Sequence, residues 1–225
     1  MRRILSIFLC LSLLSIPAAQ AEQAKYVALT FDDGPSGRFT RRLLAGLEER
    51  QVHATFLLCG YRLEIYPKLA KQIHAAGHEI GLHGYSHKNM ATLSQKELQK
   101  EIASTRSLLP TGCEAVFLRP PGGSGTRLLE QVAAKEGLAL LLWSVDPRDW
   151  AVHDAAAVEA AVVSQVRDGD VILLHDLSDS SVDAALSIID RLQEEGFQFA
   201  TVSQLASLRG VIPQPGKTYT CFPAP

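Results

Sequence analysis

The chain has 225 residues, of which 47% are hydrophobic and 20% charged, and its formal net charge is −2. These values fit one globular domain with a substantial buried core. Acidic and basic residues nearly balance, and the sequence has no cluster of basic residues. A nucleic-acid partner is therefore not expected, because binding to phosphates depends on clustered positive charge.

The first residues have the layout of a secretory signal peptide. Arg2 and Arg3 precede an apolar run from Ile4 to Ile16, and a small-x-small sequence follows at 19–21. The run is too short to span a bilayer comfortably, so no stable membrane span is expected. Residues 1–21 are predicted to be removed, and the protein is predicted to be periplasmic or secreted. An uncleaved N-terminal anchor is the alternative.

Short apolar runs then alternate with amphipathic stretches. Strands are predicted at Tyr26–Phe31, Ala54–Leu58, His78–Leu82, Ala115–Leu118, Leu138–Val145, Val171–Leu174 and Phe197–Val202. Helices are predicted at Phe39–Arg50, Tyr66–Ala76, Ser94–Leu109, Thr126–Glu136, Asp154–Arg167 and Asp183–Glu195. Such βα units predict an α/β fold with a parallel sheet, either a barrel or a doubly wound sheet. We expect one domain over residues 22–210 and an extended Pro-rich tail over residues 211–225.

Two adjacent carboxylates, Asp32 and Asp33, follow the first predicted strand and precede the turn Gly34-Pro35. Neighbouring carboxylates repel each other, so one is usually held by a cation while the other moves protons. A metal-assisted hydrolase needs this division between a ligand and a base. A simple strand-ending turn is the alternative interpretation.

Further polar motifs also follow predicted strands. They are His83 and His87 after the third strand, Arg119 and Gly122 after the fourth, Asp146 and Trp150 after the fifth, and His175 after the sixth. In a parallel barrel the C-terminal ends of the strands lie on one face, where such folds build active sites. The sequence therefore predicts that these side chains meet.

His83 and His87 are four residues apart, and the glycines beside them favour a loop that can aim both rings at one point. Two histidines and one carboxylate leave positions open for water and substrate, as in a catalytic zinc site. A solvated histidine-rich loop is the alternative. Arg119 is expected to orient Asp32, and Gly122 to present its N–H to an oxyanion; a structural salt bridge is the alternative for Arg119.

Asp146 and His175 end neighbouring predicted strands. A carboxylate beside a histidine favours the imidazolium form, so this pair predicts a general acid. Trp150 and Leu173 are predicted to wall a small apolar pocket, although a lone Trp is also a common core residue. We expect Gly122, Trp150, Leu173 and Tyr85 to contact the substrate.

As a set, these motifs resemble the polysaccharide deacetylase family, the family 4 carbohydrate esterases. The resemblance covers Tyr26 to about Leu208. It implies a distorted (β/α) barrel of about seven parallel strands with a divalent metal ion, usually zinc, that removes acetyl groups from N-acetylated sugars. The matching segments are Thr30–Pro35, His83–His87, Arg119–Gly122, Asp146–Trp150 and Leu173–His175.

Carried over by position, the resemblance implies a role for each residue. The metal ligands are Asp33, His83 and His87, the base is Asp32, the acid is His175, and Arg119 and Asp146 orient the base and the acid. Two positions depart from the family pattern: Gly84 stands where Ser or Thr is usual, and Gly122 where Tyr is usual.

The resulting hypothesis is an exported N-deacetylase that uses one divalent ion, zinc being expected. Its substrate would be a polysaccharide, peptidoglycan first and chitin-type oligomers second. A hydrolase of a cyclic imide or amide and a catalytically silent glycan-binding protein of the cell envelope are the alternatives. Neither the glycan nor the oligomeric state follows from the sequence.

Three cysteines remain after the predicted signal, namely Cys59, Cys113 and Cys221. The loop around Cys113 precedes a predicted strand, and the tail carrying Cys221 leaves from the same end of a barrel. We therefore predict a Cys113–Cys221 disulfide and a free Cys59, which ends a strand at the opposite end. The alternative is that all three thiols are reduced.

Overall fold

The fold is that of a computed structural model, which describes residues 24–224. The predicted signal peptide, residues 1–21, lies outside the described residues. Within residues 24–224, no helix combines the length and the apolar character that crossing a membrane requires.

One sheet of parallel strands forms the centre of the molecule. The strands are β1 Lys25–Asp32, β2 Thr55–Leu58, β3 Glu79–Leu82, β4 Phe117–Leu118, β5 Ala139–Leu141, β6 Val171–His175, β7 Phe197–Phe199 and β8 Thr218–Tyr219. Their order is β6-β1-β2-β3-β4-β5-β8, and β7 pairs with the start of β1. The seven predicted strands are confirmed, although β4, β5 and β7 are shorter than expected.

The sheet curls into a barrel because the chain beyond β5 returns to β6. Val145 forms a parallel bridge with Ile172, and its carbonyl accepts the N–H of Leu173 at 2.9 Å. β5 itself pairs with β8, with Leu140 opposite Thr218 and Leu141 opposite Tyr219. This pairing decides between the two expected architectures in favour of the distorted barrel.

Helices connect the strands around the outside of the barrel. They are α1 Arg38–Glu49, α2 Gly60–Ile65, α3 Pro67–Ala75, α4 Gln95–Arg106, α5 Arg127–Lys135, α6 Ala155–Val163, α7 Asp179–Glu194 and α8 Val202–Leu208. A capping box of Ser94 and Glu97 starts α4 and satisfies backbone groups that the first turn leaves free. The six predicted helices are present, and two short helices lie outside their ranges, α2 directly after β2 and α8 after β7.

Buried side chains lie on both faces of β1, as a parallel sheet in a barrel requires. Val27, Leu29 and Phe31 belong to the core between the sheet and its helices, whereas Ala28 faces the barrel interior. The alternation gives β1 two largely apolar faces, and the polar residues of its C-terminal half are Thr30, whose hydroxyl donates to the carbonyl of Ile172, and Asp32 at the end of the strand. The functional side chains are therefore confined to the C-terminal end of the strand.

The C-terminal segment packs on the barrel instead of extending away from it, so the expectation of an appendage is wrong. Besides the pairing of β8, the N–H of Phe222 donates to the carbonyl of Gly169 at 2.7 Å. The ring of Phe222 is buried and stacks on Tyr219 with the ring centroids 5.4 Å apart. β8 has only two residues, which are too few for an alternating pattern to be recognised in the sequence.

Replacing Phe222 by Ala is expected to lower the free energy of unfolding by about 3–5 kcal/mol, because a fully buried aromatic ring leaves a cavity. Urea denaturation followed by circular dichroism measures the change. Ile212→Ala is the matched control in the same segment, since Ile212 is 78% exposed. Equal, small effects of both substitutions would show that the segment adds nothing to stability.

The predicted disulfide is wrong, because Cys59, Cys113 and Cys221 are all free thiols. Cys221 forms an antiparallel bridge with Asp170, just ahead of β6. Burial raises the pKa of the Cys113 thiol, and the charge of Glu79, at the start of β3, raises it further. The two cysteines share one end of the barrel but not one position around it, since β1 and β2 separate β3 from β6.

Candidate active site

A cavity of about 390 Å³ opens at the C-terminal ends of the strands. Its walls carry the side chains that the sequence singled out, together with one that it did not, Trp143. The lining residues are Asp32, Asp33, His83, His87, Gly122, Trp143, Asp146, Trp150, Leu173 and His175. The expected convergence of strand ends thus produces one continuous site.

Asp33, His83 and His87 form the only group of three potential metal-ligand residues within residues 24–224. Asp33 follows β1 with a left-handed φ of 71°, and its Oδ1 lies 3.2 Å from His83 Nε2 and 2.9 Å from His87 Nε2. His87 is also left-handed, with a φ of 57°. Such backbone angles are uncommon outside glycine and bring the three side chains together.

The donor atoms of this group fit a divalent cation. Asp33 Oδ1 is buried, and no donor points at it with hydrogen-bond geometry. The Nδ1 atom of His83 lies 2.8 Å from the carbonyl of Arg119, which makes Nδ1 the protonated nitrogen and leaves the Nε2 lone pair free. One carboxylate and two imidazoles are a usual donor set for zinc.

The electrostatics agree with this fit. Burial by itself would raise the pKa of Asp33, but the imidazoles of His83 and His87 outweigh burial and hold the pKa well below its usual range. Asp33 is therefore an anion at neutral pH. The three residues offer a cation one negative charge and two imidazole nitrogen donors.

Arg119 holds the neighbouring carboxylate, Asp32, in a buried ion pair. Its Nη1 atom donates to Asp32 Oδ1 at 2.6 Å, and its Nε and Nη2 atoms donate to the carbonyls of Leu141 and Leu142. The planar guanidinium is suited to several simultaneous bonds of this kind. Oδ2 of Asp32 remains on the side of the histidines, 3.7 Å from His83 Nε2.

His175 is paired with Asp149, so the predicted pairing with Asp146 is wrong. Asp149 Oδ1 lies 2.8 Å from His175 Nδ1, and its Oδ2 accepts the backbone N–H of His175 at 2.9 Å. Asp146 is exposed and accepts the N–H of Arg148 instead. Arg148 has a left-handed φ of 57°, and this turn directs Asp149 under the histidine. Asp149 directly precedes Trp150 within a segment that the sequence had already marked.

Asp149 favours the charged form of its partner. Burial alone would lower the pKa of His175, but the hydrogen bond and charge of Asp149 outweigh it and raise the pKa above its ordinary value. The bond at Nδ1 leaves Nε2 of His175 as the nitrogen available to the cavity.

The aromatic residues differ in their contribution. Trp150 is 54% exposed at the cavity, whereas Trp143 is half-buried, packs on Gly123 and lies beside the guanidinium of Arg119. Tyr85 was expected to contact the substrate but lies outside the cavity lining, because its hydroxyl donates to Glu64 at 2.9 Å. Trp143 was not predicted as a site residue because it lies within the predicted apolar strand Leu138–Val145.

A buried carboxyl group, Asp176, supports the turn after Asp33 from behind. It is fully buried, the Oγ1 of Thr40 donates to it, and burial raises its pKa to about 7. A Cβ atom at Gly34 would stand 2.7 Å from Asp176 Oδ1. The close approach explains why a glycine follows the two aspartates.

A parallel barrel that carries a candidate metal-ligand group, a buried Arg–Asp pair and an Asp–His pair at the C-terminal ends of its strands has the arrangement of a hydrolase. A family model described as polysaccharide deacetylase matches residues 19–141. The chain belongs to the polysaccharide deacetylase family.

Relatives in this family are similar over most of the chain. The peptidoglycan-N-acetylmuramic acid deacetylase PdaC of Bacillus subtilis is 36% identical over 187 residues, which cover 82% of this chain but only 39% of PdaC. A peptidoglycan-N-acetylglucosamine deacetylase of Bacillus cereus is 35% identical, over 80% of this chain and 88% of its own length. The solved structure of the T48 deacetylase with substrate superimposes with a TM-score of 0.81 at 34% identity, covering 87% of this chain and 96% of that one.

Proposed function

We propose that the chain is an exported, metal-dependent N-deacetylase that removes acetyl groups from N-acetylated sugars of a polysaccharide. Peptidoglycan is the first substrate proposed and chitin-type oligomers are the second. One observation carries the proposal: a ligand group, a base candidate and an acid candidate share one cavity. The names of the relatives from both Bacillus species support peptidoglycan. Export rests on the predicted signal peptide.

Asp33, His83 and His87 would hold one divalent ion, zinc being proposed. When bound, such an ion supplies Lewis-acid chemistry and lowers the pKa of a water molecule. Asp33 contributes the negative charge, and the hydrogen bond from His83 Nδ1 to the Arg119 carbonyl keeps that ring in the tautomer that binds through Nε2.

Asp32 is the proposed general base. Its Oδ1 is held by Arg119, so Oδ2 is the atom that accepts a proton from the attacking water. The buried guanidinium keeps the carboxylate in one orientation. The entropic cost of orienting the base is therefore not part of the activation barrier. Arg119 does not line the cavity, so it is proposed as a positioning residue that acts by orienting Asp32.

His175 is the proposed general acid. Asp149 holds Nδ1, and Nε2 gives its proton to the departing amine. Gly122 lines the same cavity with a left-handed φ of 68°, and its backbone N–H is proposed to stabilise the oxyanion. Leu173 and Trp150 would form the apolar wall for the acetyl methyl group and the sugar ring. Asp146 borders the cavity with a role in substrate contact rather than in orienting the acid.

Mass spectrometry of reaction products tests the proposal. Incubation of the zinc-loaded protein with muropeptides or with chitin oligomers is expected to give products lighter by about 42 daltons per sugar, the loss of one acetyl group replaced by hydrogen. Hydrolysis of a cyclic imide without this loss would favour the second hydrolase hypothesis. Glycan binding without any mass change would identify a silent binding protein.

Asp149→Asn is expected to move the alkaline limb of the pH–rate profile to lower pH by about one unit or more. The imidazolium of His175 would lose its carboxylate partner while the opposing effect of burial remains, so its pKa falls. Deacetylation rates measured from pH 5 to pH 10 give the limb. Asp146→Asn is the matched control and leaves the limb in place. A shift in the control but not in Asp149→Asn would reverse the assignment.

A further inference from the structure

The loop that carries His83 and His87 is irregular and needs support from elsewhere in the fold. Gly84 and His87 both have left-handed backbone angles, with φ of 77° and 57°. Backbone groups within such a loop have no partners in a helix or strand, so other parts of the chain must satisfy them. The position of two proposed metal ligands depends on those partners.

The carbonyl groups of the loop are held by the start of α2. The N–H of Gly60 donates to the carbonyl of Gly84 at 2.9 Å, and the N–H of Tyr61 donates to the carbonyl of Tyr85 at 3.0 Å. Free N–H groups at the first turn of a helix are available for such bonds.

The amide groups of the loop are held by one side chain of α4, Glu101. Its Oε2 accepts the N–H of Tyr85 at 2.7 Å and the N–H of Ser86 at 2.8 Å, and its Oε1 accepts the hydroxyl of Ser86 at 2.7 Å. Both carboxylate oxygens are thus engaged by three donors. Hydrogen bonds to an ionised acceptor are stronger than those between neutral groups.

The space around Gly84 fits the same arrangement. A Cβ atom there would lie 2.7 Å from the Cε of Met90 and 3.3 Å from Oε2 of Glu101. Gly84 therefore lets the loop approach Glu101 closely. Because Gly84 has no hydroxyl of its own, the contact with Glu101 is the main side-chain support of the segment between the two histidines.

We propose that Glu101 is a positioning residue for the metal site. It touches none of the proposed ligands but holds the loop that directs the Nε2 atoms of His83 and His87 toward Asp33. The inference rests on the proposed metal site. Loss of a residue that orients metal ligands costs about 10–100-fold in metal affinity, and this is the effect expected here.

Two conservative substitutions separate geometry from charge. Glu101→Gln keeps the length of the side chain, so one amide oxygen can accept both backbone N–H groups while its NH₂ donates to the Ser86 hydroxyl. Glu101→Asp keeps the charge but is one methylene shorter and cannot reach the loop. Zn²⁺ affinity, measured by competition with a chromophoric chelator, is expected to fall by about 10–100-fold in Glu101→Asp and Glu101→Ala, and by less than about 10-fold in Glu101→Gln.

A spectrum of the bound metal provides a second readout. With Co²⁺ in place of zinc, the visible absorption reports ligand geometry, and it is expected to change in Glu101→Asp but to be retained in Glu101→Gln. Glu97→Ala is the matched control, because Glu97 lies one turn earlier on α4 and also accepts an N–H and a hydroxyl, both from Ser94. It is expected to destabilise the helix without changing Zn²⁺ affinity.

Each outcome has a separate meaning. Wild-type protein that binds neither Zn²⁺ nor Co²⁺ would contradict the proposed function itself. Wild-type binding with Glu101→Asp within about 3-fold of it and an unchanged Co²⁺ spectrum would overturn the role of Glu101. Higher affinity in Glu101→Asp than in Glu101→Gln would also overturn it, because charge and not reach would then be the cause. If Glu101→Ala does not fold, the other two variants decide.

Discussion

Replacing Asp32 by Asn is expected to reduce the rate of deacetylation by about 10²–10⁴-fold, the usual contribution of a general base, while the protein keeps its metal. The amide can still accept the bond from Arg119 Nη1, but it cannot take a proton from water. Asp32 is not one of the three ligand residues, so the metal site is left intact. Turnover of muropeptides and metal content by atomic emission are the measurements.

The same substitution also breaks a buried ion pair. Arg119 is fully buried, and its partner Asp32 is 3% exposed. Removing one member of such a pair typically destabilises a protein by about 3–5 kcal/mol. Turnover must therefore be compared per folded molecule, with the folded fraction taken from urea denaturation.

Asp33→Asn is the matched comparison, because it changes the adjacent carboxylate in the same way. It is expected to lose both metal and activity, since the anion of the ligand group is removed. If the two variants retain equal amounts of metal, the proposed division between base and ligand is incorrect.

His83→Ala is expected to abolish metal binding and activity together. The substitution removes one of two imidazoles and also the bond from Nδ1 to the carbonyl of Arg119. Isothermal titration with Zn²⁺ measures the binding, and the deacetylation assay measures the activity. His53→Ala is the control, because His53 is an exposed histidine outside the cavity lining.

Chelation provides an independent check of the same prediction. Dialysis of the wild-type protein against a strong chelator is expected to remove activity, and added Zn²⁺ is expected to restore it. Full activity of a verified metal-free preparation would contradict a metal-dependent reaction. Restoration of His83→Ala by Zn²⁺ would contradict the role of His83 as a ligand.

Much of the fold and site could be predicted from local pattern. Apolar runs that alternate with amphipathic stretches require a parallel sheet, and a parallel barrel brings the residue after every strand to one end. For this reason Asp32, His83 and His175 could be expected to meet, although they are far apart in the chain. The pairing of Arg119 with Asp32 follows from the same geometry, because a buried arginine needs an anion.

Other features depended on the tertiary structure. The sequence predicted Asp146 as the partner of His175, but the left-handed turn at Arg148 brings Asp149 to the histidine instead. The hydroxyl of Tyr85 turns to Glu64, away from the cavity, because the peptide groups on either side of it are held by α2 and Glu101. Neither the backbone turn at Arg148 nor the orientation of Tyr85 produces a periodic sequence pattern, so neither could be predicted from the sequence.

Position around the barrel is the other property that the sequence left open. Sequence patterns report which end of a strand a residue occupies, and they located Cys113 and Cys221 at the same end. They do not report which strands are neighbours. In the sheet β1 and β2 lie between β3, near Cys113, and β6, near Cys221, and this distance around the barrel excludes the disulfide. Hydrophobic periodicity therefore predicted the strands and helices, and the polar motifs at the strand ends, with the family resemblance that they carry, predicted the residues of the site. Only the packing of the whole chain decided the partners, because hydrogen bonds form between side chains brought together from distant segments.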